Sequence, residues 1–145
     1  MSLPFGAHIP FVHHLGFTLE KFEGGQSELR FAPRPEHCNS FGVTHGGAVM
    51  TLLDLAMVTA ARSAQPESGV ITIEMKATFM RPAPATPGQS LVARGRLLHR
   101  ARVMAFMEAS VYDAAGLLCA QGSGTVKYVP RPVLPNHQLG PLPTD

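Results

Sequence analysis

His45-Gly46-Gly47-Ala48-Val49-Met50-Thr51-Leu52-Leu53-Asp54-Leu55-Ala56-Met57-Val58-Thr59-Ala60-Ala61-Arg62-Ser63 is the stretch that decides the fold. It has no proline, and Ala, Leu and Met dominate it, as a helix prefers. Its polar residues after the glycines are few: Thr51, Asp54, Thr59, Arg62 and Ser63. A helix that is apolar on nearly every side belongs in a core, so the reading predicts a long buried helix. Gln65-Pro66-Glu67-Ser68-Gly69 ends it.

On the N-terminal side, Pro33 to Gly42 is a loop punctuated by Pro33, Pro35, Asn39 and Gly42. Before it, Gly16 to Phe22 and Ser27 to Ala32 read as two strands joined at Gly24-Gly25, a hairpin signal. Residues 1–15 form an irregular lead-in or a short helical turn. On the C-terminal side four strands are expected. Val70 to Met80 alternates, with Ile71, Ile73, Met75, Ala77 and Phe79 on one face and Thr72, Glu74, Lys76 and Thr78 on the other. Ser90 to Leu98 follows, then a tight turn at His99-Arg100-Ala101-Arg102 into Val103 to Tyr112. Asp113-Ala114-Ala115-Gly116 turns again into Leu117 to Val129. The tail from Pro130 carries five prolines and is expected to be extended or disordered. The order is two strands, one helix, four strands. An antiparallel sheet wrapped around a single central helix satisfies it, because each covers the other's apolar face. The class is α+β, in a single domain spanning 1–145.

Composition narrows the function classes. The 145 residues are 45% apolar and 15% charged, enough for a packed core and too apolar for a disordered chain. Net charge is +2, with scattered basic residues, so nucleic acid is not the expected partner. No uninterrupted apolar run reaches a membrane span, and Met1-Ser2-Leu3-Pro4-Phe5-Gly6 lacks the start of a secretory signal. Cys38 and Cys119 form no C-x-x-C and suggest reduced thiols, hence a cytoplasmic chain. The low charge points to self-association. His13-His14 and His37-Cys38 lack structural-zinc spacing, and no metal is expected.

The chemistry gathers at Asn39-Ser40-Phe41-Gly42-Val43-Thr44-His45-Gly46-Gly47, with Asp54 seven residues on. The glycines fall at the start of the helix, where backbone N–H groups lack internal partners at the positive end of the macrodipole. Without a Cβ, Gly46 and Gly47 let a ligand oxygen approach, as an oxyanion site requires. The alternative is that they only let the helix start pack tightly. Asp54 is the odd residue among Leu52, Leu53, Leu55 and Ala56. Burial there would raise its pKa and suit it to take a proton from water or to attack a carbonyl. The structural alternative is a buried cap or ion pair. Gly46 and Asp54 lie roughly 12 Å apart along one helix, too far to act on one carbonyl. If both act on it, two subunits must share each site.

The spacing N-x2-G-x2-H-G-G-x6-D, here Asn39, Gly42, His45, Gly46, Gly47 and Asp54, resembles the signature of PaaI-like hotdog thioesterases of the 4-hydroxybenzoyl-CoA thioesterase superfamily. The similarity extends over Gly69 to Met75, Phe79-Met80-Arg81-Pro82-Ala83 and Ala120 to Thr125, roughly residues 12 to 129 in all. The resemblance implies a hotdog fold and hydrolysis of an aryl- or medium-chain acyl-CoA at a dimer interface, in a homodimer or a dimer of dimers. It implies Asp54 as nucleophile or general base, and the Gly46 amide, with or without that of Gly47, as oxyanion donor. Asn39 and His45 would orient the carbonyl and shape the helix start, and Thr72 would position the water. Coenzyme A enters as part of the substrate, with no separate cofactor. Its phosphates call for cations: Arg100 and Arg102 in the predicted turn, then Arg81 and His99. Phe5, Phe11, Leu15, Phe41, Met50 and Met57 are candidates for an acyl pocket or ordinary core. A non-catalytic acyl-CoA-binding module on the same fold is the alternative function, and it leaves Asp54 without a role. A hotdog dehydratase would need an Asp/His arrangement this chain lacks.

Overall fold

Strand β1 (Thr18–Glu23) turns back into β2 (Gln26–Phe31) through Gly24 and Gly25, both at positive φ (57° and 82°). That is the primed-turn geometry a two-residue hairpin needs, and glycine reaches it without strain. The computed structural model describes residues 2–131; most of the proline-rich tail lies outside the described residues. A short helix α1 (Pro10–Leu15) precedes the hairpin, and a 3-10 turn at Pro35–His37 follows it. Then come α2 (Gly46–Ala64), β3 (Ser68–Phe79), β4 (Leu91–Arg100), β5 (Met104–Tyr112) and β6 (Leu118–Pro130). All pairings are antiparallel, in the order β1-β2-β4-β5-β6-β3. The sheet wraps α2, which touches all six strands. This is the hotdog arrangement, an α+β fold.

The core is where the two layers meet. Leu52, Leu53, Ala56, Met57 and Ala60 of α2 are fully buried against Leu29, Phe31, Ala93, Met107 and Val111 of the sheet. The closest approach is at β4, where Gly95 faces the Ala56 carbonyl that also accepts a 2.6 Å hydrogen bond from Ser27 Oγ. At the far end the Tyr128 hydroxyl donates to the Ala61 carbonyl at 2.7 Å. Arg100 stacks over the same ring with 4.7 Å to its centroid. By length and composition α2 could cross a bilayer; here it is the core helix, with nine of its residues buried.

Three expectations change. First, α2 is not covered all round: Gly47, Met50, Thr51, Asp54 and Val58 form a stripe that the sheet leaves open. The sequence cannot distinguish this stripe, because Met50 and Val58 on it are as apolar as the buried face. Second, His99 and Arg100 belong to β4, and the turn into β5 closes after them, with Ala101 N donating to the Met104 carbonyl. Third, β3 does not alternate through its length. Thr72 pairs with Val126 and Glu74 with Thr125, so Ile73 is a β-bulge. Residues directly opposite in a ladder share a face. Val70 and Thr72 therefore point inward before the bulge, and Met75, Ala77 and Phe79 after it, opposite the buried Tyr128, Val126, Gly124, Gly122 and Ala120.

Candidate active site

The bulge brings the first two site residues together. With Thr72 turned toward α2, its Oγ1 donates to Asp54 Oδ1 at 2.6 Å. Asp54 is half-buried on the open stripe rather than buried as expected, so a single chain leaves its second oxygen accessible. A carboxylate held at one oxygen and open at the other is arranged to receive a proton from a bound water.

The helix start separates the two glycines. His45 caps α2, and its Nδ1 accepts the Gly47 N–H at 2.8 Å. The His45 carbonyl takes the N–H groups of Ala48 and Val49. Gly46 is thus the first-turn amide with no protein partner among the described residues. Of the two candidate oxyanion donors, the geometry keeps Gly46 free and commits Gly47 to the cap. His45, singled out from the sequence, thereby shapes the helix start.

Asn39 builds the loop before the helix. Its Oδ1 accepts the N–H groups of Phe41 (2.9 Å) and Val43 (3.3 Å), while its backbone N–H donates to the Val43 carbonyl. Gly42 sits at φ +75° in this tight loop, which is why glycine stands there. Beside the loop lies a cavity of about 500 Å³, lined among others by Asn39, Gly46, Val49, Phe79, Met80 and Arg81. Phe41, 87% exposed, stands at its rim. Of the other apolar candidates, Leu15 and Met57 are core, Phe5 is half-buried against it, and Phe11 and Met50 are exposed. Cys119 also lines the cavity, where burial pushes its thiol pKa up and argues against a thiolate nucleophile.

Of the cationic candidates, Arg81 is the one at this cavity. Its Nη1 lies 3.1 Å from Asp113 Oδ2. Asp113 Oδ1 in turn accepts the N–H groups of Leu117 and Ala115 in the β5–β6 turn. The Leu117 amide, then that of Ala115 and the Arg81 guanidinium, hold the Asp113 carboxyl below its usual pKa against the opposing effect of burial. Sequence reading missed Asp113 as the residue that fixes Arg81, since it looks like any turn aspartate. Arg100 instead reaches the Ala64 carbonyl at the C-terminal end of α2 (3.5 Å), and His99 stacks on Phe106. Arg102 is exposed in the turn. These three lie toward the end of α2 remote from Gly46. No cluster of three His, Cys, Asp or Glu suited to a metal occurs among the described residues.

The family model of the thioesterase superfamily matches residues 41–120, which contain every element of this arrangement except Asn39. The chain belongs to the thioesterase superfamily. At that level it is a thioester hydrolase. Relatives that carry the name "Putative esterase" include the following two. One, from Saccharolobus solfataricus, is 29% identical over 77% of this chain and 72% of its own length. The other, from Halobacterium salinarum, is 30% identical over 78% and 80%. Among solved structures, a conserved protein of Pseudomonas aeruginosa superposes with TM-score 0.79 at 26% identity, covering 86% of this chain and 97% of that one. A mutant of the phenylacetic acid degradation protein PaaI from Thermus thermophilus gives 0.74 and 26%, covering 83% and 99%. A Streptococcus mutans protein solved with acetyl CoA bound shares the fold, with TM-score 0.72 at 20% identity over 80% and 90% of the two chains. The thioesterase is therefore PaaI-like.

Proposed function

We propose that this thioesterase hydrolyses acyl-CoA esters, of aryl or medium-chain acids, at a site assembled from two copies of the chain. The observation that carries the reading is the pairing of Asp54 with Thr72 on an open stripe of the same helix whose start offers the Gly46 amide. Asp54 takes a proton from water as the water oxygen attacks the thioester carbon. The Gly46 N–H holds the oxyanion. The C–S bond then breaks, and CoA departs as a thiolate that needs little acid help. Direct attack by Asp54 through an anhydride is the other route open to the same carboxylate.

The need for a second copy follows from distance. Gly46 and Asp54 are on one continuous helix, roughly 12 Å apart. Two antiparallel α2 helices related by a two-fold axis would set each Gly46 against the other's Asp54. The edge strand β3 supports such a pair: it ends the sheet, is 12 residues long, and carries the exposed Ile71, Ile73 and Phe79. A long apolar edge is a template for pairing. The same alignment carries the C-terminal end of α2, with Arg100 and Arg102, about 15 Å past the partner's Gly46. Those arginines and Arg81 then flank the path of a CoA nucleotide, while the apolar part of the cavity, at Val49, Phe79 and Met80 beside Gly46, takes the acyl group. The acetyl-CoA-bound neighbour supports CoA as the thiol. Cys38 and Cys119 are free thiols, in keeping with a cytoplasmic enzyme, and pairing of dimers would make a tetramer.

Thiol release from a panel of aryl- and medium-chain acyl-CoAs tests this, with molar mass measured by light scattering. Turnover by a dimer or tetramer supports the reading. Ester binding without thiol release would replace it with the binding-module alternative. Arg81→Ala is expected to raise KM for CoA esters about tenfold, as loss of one charge-assisted contact does. It should leave KM for the matching acyl-pantetheine, which lacks the nucleotide, nearly unchanged.

A further inference from the structure

His37 is buried, 6% exposed, one residue before the loop that carries Asn39 and leads into α2. The loop is closed at its base by His45 N–H donating to the His37 carbonyl at 2.7 Å, and by the Cys38–Thr44 bridge above it. The imidazole fastens that base to the fold. Its Nδ1 accepts the Arg34 backbone N–H at 3.0 Å, and its ring packs against Phe31 of β2 with 5.2 Å between centroids. Nδ1 can accept only while it is unprotonated, so this geometry requires neutral imidazole with its proton on Nε2. The Arg34 guanidinium lies 3.5 Å from Nε2 and is itself held by Glu36 (2.7 Å) and the His14 carbonyl (2.8 Å). The titratable or charged groups facing His37 are therefore Arg34 and Glu36 from its own turn, His14 from α1 and the neighbouring Cys38. From β2 it meets Phe31, and from the start of α2 the His45 backbone, whose imidazole is turned to Gly47.

We propose that neutral His37 is a positioning residue that latches the active-site loop, and that its protonation releases Asn39 and the start of α2. A charged ring would present an N–H to the Arg34 N–H and set a second cation against the guanidinium. Burial first, then Arg34, lowers the pKa of His37 below its ordinary 6.5, and Glu36 opposes this only in part. Above about pH 6.5 latched and released loops are both neutral at this residue, and pH has no hold on them. Below it the released loop binds a proton that the latched one excludes, so the latch weakens by up to about tenfold per pH unit, down to the latched value.

The latch itself needs no substrate; its link to turnover rests on the thioesterase reading. The first test is hydrogen exchange of residues 38–46 from pH 7.5 to 5, expressed as protection relative to intrinsic rates, in wild type and His37→Asn. Asn can place Oδ1 where Nδ1 stands and does not titrate. Wild-type protection is expected to fall as pH drops below about 6.5, while that of His37→Asn stays flat. Equal pH dependence in the two proteins would overturn the proposal. Should His37→Asn not fold, NMR titration of the His37 ring in wild type decides: a midpoint below 6.5 tracking the loss of loop protection supports it, and any other midpoint overturns it. If turnover is present, kcat of wild type should show an acid loss that His37→Asn lacks.

Discussion

Replacing Asp54 with asparagine is expected to lower kcat for thiol release by at least about a hundredfold, the lower end of what a positioned base contributes. KM should change little, because an amide of the same shape still accepts the Thr72 hydroxyl that now meets Asp54 at 2.6 Å. The fold should also survive. Asp54 is half-buried on the open stripe of α2, and among the described residues no backbone group depends on it. Thermal melting and molar mass therefore serve as controls, and a loss of rate with both unchanged isolates the chemistry. Thr72→Val is the companion variant. It keeps a branched side chain on a strand and removes only the hydroxyl, and a loss of about tenfold is expected. Wild-type rates in the Asp54→Asn protein would remove Asp54 from the mechanism, whatever became of the hydrolase class.

The largest stability effect is expected far from any chemistry. A Cβ built on Gly95 would lie 2.2 Å from the Ala56 carbonyl oxygen, 2.6 Å from its carbon and 2.7 Å from Ser27 Oγ. Two of these atoms are helix backbone and cannot turn aside. Overpacking typically costs about 1–3 kcal/mol, and with a rigid neighbour Gly95→Ala should lie at or above the top of that range. A fall in Tm of about 10 °C or more is expected in a melt followed by circular dichroism. Gly116→Ala is the contrast. It sits at φ +84° with nothing within 4 Å, so its effect is conformational alone, about 1 kcal/mol. Similar losses in the two variants would mean that α2 lifts easily from β4, against the close approach of Gly95 to the helix backbone.

How much of this is legible in the sequence depends on whether local chemistry decides the feature. The Gly24-Gly25 hairpin is legible because a two-residue turn between strands favours glycines, which reach its positive φ without strain. The extent of α2 is legible because proline and polar residues stop at its ends. Gly46 and Asp54 stand out through their spacing and their odd chemistry. What the sequence does not reveal is geometric. The open stripe on α2 carries Met50 and Val58, so hydrophobicity does not mark it. The commitment of Gly47 to His45 depends on a side-chain rotamer. Gly95 looks like a weak point in a strand until the helix carbonyl above it is seen. Arg81 and Asp113 are 32 positions apart, and only the meeting of the strand ends makes them partners.

The bulge at Ile73 turns the two sides of β3 into a question of parity. Before it the even-numbered residues face the helix; after it the odd-numbered ones do. One side delivers Thr72 to Asp54, and the other carries Phe79, whose ring lies 3.8 Å from where a Cβ on Gly46 would stand. A single extra residue thus keeps both ends of the site in phase with one helix. The strand should accordingly tolerate a change in what Ile73 is far better than its removal, since deletion would swap inside for outside along everything on one side of it.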